Sequence, residues 1–221
     1  MDLRRRLRST LAAKCVGSVQ GPSAVVDLSS RGVETTVVCR PVAAQEALRR
    51  RAGRTLGDRL GVFEVLQALP LEERLPLDSL TSRERAILPA VPGWALRRSD
   101  RSILRLADIP VHVDVAAVWG EEPFEALDQA CRLGPGAPRM AVCETPGDDF
   151  ERAVLEADYH GIGLAVARGE EARVLVEPRV RASEAEAALR WRFAERVHRA
   201  LDARKGLSPP LQPSTSAHPT G

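Results

Sequence analysis

Apolar and polar positions alternate twice near the start of the chain, in Ala24-Val25-Val26-Asp27-Leu28 and in Val33-Glu34-Thr35-Thr36-Val37-Val38-Cys39. This predicts two strands, with Ser29-Ser30-Arg31-Gly32 as a four-residue hairpin loop. Pro41 ends the second strand, and the period lengthens to that of helices over 42–51 and 56–69, where Pro70 stops it. Prolines at 70, 76, 89 and 92 then predict loops around one short helix over 82–88, and Arg97 to Arg105 reads as a basic connector.

From Val111 the pattern becomes regular. It predicts a strand over 111–119, a helix over 123–133 opened by Pro123, a strand over 139–144, and a helix from Asp148 or Asp149 to His160. Asp148 and Glu151 have capping-box spacing at the start of that helix. Strands follow over 162–167 and 172–176, with Arg168-Gly169-Glu170-Glu171 as their hairpin. The last helix is signalled by Ser183 and Glu186 at capping-box spacing and by the stripe Leu189, Phe193, Val197 and Leu201. After Gly206 the chain turns rich in proline, serine and threonine, the composition of a disordered tail.

The order β-α-β-α-β-β-α predicts an α/β fold, α+β overall, whose mixed sheet in the C-terminal half is preceded by a smaller module of a hairpin and helices. The domain organisation read this way is a basic N-terminal module over 1–93, an acidic α/β domain over 94–206, and the tail over 207–221. Right-handed crossovers would set the strand ends near Asp114 to Trp119 and Glu144 side by side at one sheet edge. Open α/β sheets place their sites at such an edge.

Charge sharpens the division. The whole chain carries only +2, but residues 1–60 hold 12 basic and 5 acidic side chains while residues 108–178 hold 5 basic and 15 acidic ones. Arginine outnumbers lysine 30 to 2, the bias of a GC-rich genome, so arginine content alone is no sign of nucleic-acid binding. No apolar run is long enough for a membrane span or a signal peptide, which points to the cytoplasm and away from a membrane. Cys15, Cys39, Cys131 and Cys143 form no C-x-x-C pair, so they read as free thiols and not as a zinc site.

The candidate chemistry is acidic. Asp114 and Glu144, on successive strands, could hold a divalent cation, with His112 sharing the Asp114 face by strand alternation. An acid on one strand, an acid at the end of the next and then a helix resembles the restriction-endonuclease-like, or PD-(D/E)xK, nucleases over roughly residues 105–178. The resemblance implies magnesium or manganese and phosphodiester cleavage. The family's catalytic lysine is replaced by Pro146, and Pro110 lies four residues ahead of Asp114. No glycine-rich phosphate cradle or nucleophile elbow is present.

Two functional readings follow. The first is a non-catalytic regulatory or adaptor protein without cofactor, binding a protein partner or itself. Nucleic acid could be engaged through the basic N-terminal module. The contacts to nucleic acid or to an acidic partner would be Arg4, Arg5, Arg6 and Arg8, together with Arg192, Arg196 and Arg199 on one side of the last helix. The second is a metal-dependent nuclease or phosphodiesterase using Asp114 and Glu144. Their convergence in one cleft separates the two.

Overall fold

A computed structural model describes residues 23–30, 32–52, 55–169, 171–179 and 183–206. Among the described residues nine strands form, in chain order: β1 (Ala24–Ser30), β2 (Val33–Pro41), β3 (Arg74–Pro76), β4 (Leu96–Arg98), β5 (Ser102–Arg105), β6 (Val111–Gly120), β7 (Arg139–Cys143), β8 (Gly163–Arg168) and β9 (Glu171–Val176). The α-helices are α1 (Ala43–Ala52), α2 (Leu60–Ala68), α3 (Ser82–Ile87), α4 (Pro123–Leu133), α5 (Phe150–His160) and α6 (Glu184–Gly206).

Six strands make one mixed sheet in the order β1-β2-β6-β7-β8-β9, and β3, β5 and β4 make a small antiparallel one. The α/β expectation stands. β6, β7 and β8 run parallel through the crossovers α4 and α5, and antiparallel pairs flank them on both sides. The pairings β2 with β6 and β3 with β5 both span residue 93, so the N-terminal hairpin is built into the same sheet as the acidic half.

Local chemistry explains most boundaries. Pro123 opens α4, where its missing N–H costs nothing, and Gly134 closes it at φ 73°. Both hairpin loops are two residues shorter than expected. Strands run to Ser30 and from Val33, with Gly32 at φ 76°, and to Arg168 and from Glu171, with Gly169 at φ 60°. A left-handed glycine suits a two-residue turn because it matches the strand twist.

Capping differs from expectation. The hydrogen-bonded capping box belongs to Thr81 and Glu84 at α3, whose two bonds from Thr81 pull the Glu84 carboxyl below its usual range. Asp149 precedes α5 with no side-chain cap bond. The basic stretch read as a connector is instead β4 and β5.

Three cores result. The first lies between the main sheet and the helices α4, α5 and α6, with Ala126, Ala157, Phe193 and Val197 packed on Val37, Ala116 and Ala141. Gly120 is needed here, because a Cβ on it would lie 2.7 Å from the backbone nitrogen of Ala126. The second core joins residues 56–107 to α6 through Phe63, Leu66, Leu96, Ala188 and Trp191. The third is the opposite face of the main sheet, with Val38, Val115, Ala117, Met140, Val142, Ala165 and Ala167 at its centre. Phe193, Val197 and Leu201 of the expected α6 stripe are buried in the first core while Leu189 is half-buried, and the helix is also buried on a second side, between the first two cores.

Candidate functional site

Asp114 occupies a β-bulge. Val38 pairs with Val115 and the next residue, Cys39, pairs with Val113, which leaves Asp114 as the unpaired extra residue of β6. Its carboxylate is 9% exposed and accepts a fork from Arg40 of β2: Nε donates at 3.0 and 3.2 Å, and Nη2 at 2.8 Å. The same pairing raises the Arg40 pKa. Burial, with the Asp114 charge added, pushes the Cys39 thiol up to about 12, so it stays protonated.

Glu144 does not meet this carboxylate. In the parallel ladder Ala116 lies opposite Arg139 and Gly120 opposite Cys143, so Glu144 is level with residue 121, seven residues beyond Asp114. At roughly 3.3 Å per residue the two acids are about 23 Å apart along the strands. Glu144 is exposed after the end of β7, and His112 is exposed opposite Arg40. Among the described residues no three His, Cys, Asp or Glu side chains come together as a metal site. Parallel strands made the two acids neighbours in strand order but put them at opposite ends of their strands.

The basic candidates are divided. Arg4, Arg5, Arg6 and Arg8 lie outside the described residues. On α6, Arg196 donates to Ser30 Oγ at 3.2 Å and to the Ser29 carbonyl at 3.5 Å, and Arg199 pairs with Asp58 at 3.5 Å. These contacts tie the helix to its own fold. Arg192 lines a shallow hollow with Ser30, Gly136 and Phe193.

The structure instead assembles a surface around α5. A cleft of about 480 Å³ opens at the carboxyl end of β7 and β8 beside the first turn of α5. Its floor is Phe150, Val166, Leu175 and Pro146, and its rim carries Arg168, Arg173 and Glu171. On the outer side of α5, Leu155 is 72% and Tyr159 78% exposed, while Ala153 and Ala157 of the same helix are buried. Tyr159 does not pack inside. It projects and stacks edge-on against His160, with ring centroids 5.1 Å apart. The four-residue spacing of Leu155 and Tyr159, out of phase with Ala153 and Ala157, was the signal in the sequence.

A second polar cluster is closed. Arg49 of α1 and Glu195 of α6 form an ion pair with side chains 1% and 0% exposed. Arg49 also donates to Gln45 Oε1 at 2.7 Å and to the Asp108 carbonyl at 2.8 Å, and its guanidinium lies 5.4 Å from the Trp94 ring centroid. Arg105 sits 4.7 Å from the Trp191 ring and donates to the Leu69 and Ala107 carbonyls. Burial holds the His198 pKa below its usual value, against the opposing pull of Asp202. On α6 the second core, with Ala188 and Trp191, packs on the Glu195 side of the helix. The cluster joins the two cores, and its ion pair is buried from solvent.

In comparisons with protein-family models, curated proteins and solved structures, no match to this chain is found.

Proposed function

We propose that the protein is a non-catalytic regulatory or adaptor protein whose α/β domain docks a protein partner on the α5 face and in the adjoining cleft. The observation that carries this reading is the pair Leu155 and Tyr159, two large side chains one turn apart and more than 70% exposed on one helix. Isolated exposed apolar residues are ordinary, but an aromatic and a leucine one turn apart on a helix have the composition of an interface centre. Arg168 and Arg173 on the rim favour a partner segment that carries an apolar side chain next to a carboxylate. The Arg40 fork on Asp114 and the separation from Glu144 weigh against two-carboxylate metal catalysis. No helix among the described residues is long and apolar enough to cross a membrane.

The test compares wild type with the Leu155→Ser/Tyr159→Ala double variant. Both should melt at the same temperature, since neither side chain is buried, while a partner retained by wild type is lost from the variant. Equal retention by both overturns the docking surface. Magnesium- or manganese-dependent phosphodiester cleavage, abolished by Asp114→Asn or Glu144→Gln in folded protein, overturns the non-catalytic reading.

A further inference from the structure

A hollow of about 160 Å³ lies at the opposite end of β7 from the cleft, where β7 begins, α5 ends and α6 makes its first two turns. Arg139, His160, Arg179 and Arg190 line it, and Glu186 is the acid on that lining. The four basic side chains come from four places in the chain: the first residue of β7, the last of α5, the segment after β9 and the second turn of α6. No stretch of sequence clusters them, and residues 108–178 hold only 5 basic side chains against 15 acidic ones. Like charges drawn together by the fold repel one another unless negative charge sits among them. The neighbouring acids supply part of it: Asp158 pairs with Arg179, and Glu186 lies 4.0 Å from Arg190. Three guanidiniums against these two carboxylates leave one positive charge before His160 is counted.

We propose that this hollow binds the phosphoryl group of a phosphomonoester. Such a group presents several acceptor oxygens and close to two negative charges, which suits converging guanidinium forks better than a single carboxylate does. The arginines are held in place before any ligand arrives. The backbone N–H of Arg179 donates to the Gly161 carbonyl at 3.1 Å, just past the end of α5, and Arg139 Nη2 donates to the His160 carbonyl at 3.4 Å. Side chains already ordered by the fold lose less entropy on binding. Size agrees with the assignment. At about 30 Å³ for each water-sized unit the hollow takes one phosphoryl group and little more, so the rest of the ligand extends into solvent. The inference stands apart from the docking surface, because neither Leu155 nor Tyr159 lines the hollow.

Calorimetric titration of the full-length protein with phenyl phosphate at low salt tests this. The expected result is binding at one site that weakens as salt rises. Arg139→Gln and Arg190→Gln should each weaken it roughly tenfold or more, the loss of a charge-assisted hydrogen bond. Glu186→Gln should tighten it severalfold, because its carboxylate competes with the ligand for the same arginines. Opposite signs for the arginine and glutamate variants are a result that a purely structural cluster would not give. No binding of millimolar phenyl phosphate by wild type, or equal affinity in wild type and the arginine variants, overturns the proposal. Should an arginine variant fail to fold, Arg179→Gln takes its place with the same expectation, since that side chain is 64% exposed. A phosphoserine peptide that binds roughly tenfold more tightly than phenyl phosphate assigns the group to a phosphorylated protein, and the reverse assigns it to a small phosphomonoester. Either order supports the hollow as a phosphoryl site.

Discussion

Arg49→Met and Glu195→Leu, made singly and together, test the claim that one buried ion pair joins the two cores. Each single change strands a charge in a site where the side chains are 1% and 0% exposed. Two unit charges about 4 Å apart attract by about 4 kcal/mol at an effective dielectric of about 20, and a lone buried ion regains none of this. Each single variant should therefore lose about 3–5 kcal/mol, out of a total stability on the order of 5–15 kcal/mol. The double variant should behave differently. Arg49 Nε and Glu195 Oε2 have no hydrogen-bond partner among the described residues, so the native pair leaves part of its desolvation cost uncompensated. Replacing both with apolar side chains of similar size removes that cost, and the double variant should lie within about 1 kcal/mol of wild type. Urea denaturation at neutral pH, read as a double-mutant cycle, gives all three numbers and a coupling of several kcal/mol. Single losses below about 1 kcal/mol that simply add would refute the reasoning, since they would mean that water reaches the pair.

His198, with its pKa held by burial below the ordinary imidazole value of 6.5, makes the unfolded chain bind more protons than the folded one at mildly acidic pH. Its contribution is complete above about pH 6.5 and is lost as pH falls, so His198→Gln should flatten the stability curve on that side in parallel denaturation series. Phe193→Ala, at a buried position of the first core, should cost about 3–5 kcal/mol, and Leu189→Ala, at a half-buried one, clearly less; equal losses would contradict the packing. Gly120→Ala should cost about 1–3 kcal/mol by pushing α4 off the end of β6, measurable as a lower melting temperature. Asp114→Asn should cost about 1–2 kcal/mol through loss of the Arg40 fork, with the partial exposure of Arg40 limiting the effect.

Elements whose signals are local were legible along the chain. The strand β6, the helix α4 from Pro123 to Leu133 and the buried stripe of α6 follow from periodicity, a proline at a helix start and a glycine after its end. The α/β class followed as well, because alternating strands and helices leave few ways to bury their faces. What tertiary structure alone decided is everything that depends on which segments meet. β4 and β5 are three and four residues long and rich in arginine, and they are strands only because they pair with each other and β5 pairs with β3. Glu195 lies on what looks like a polar face of α6, and only the packing of residues 56–107 on that helix turns it inward to Arg49. The bulge that exposes Asp114 to Arg40, and the parallel register that sets Glu144 about 23 Å away, arise from strand pairing. Spacing along a chain reports which face a residue shares with its neighbours, but distance between elements depends on register, which no local pattern carries.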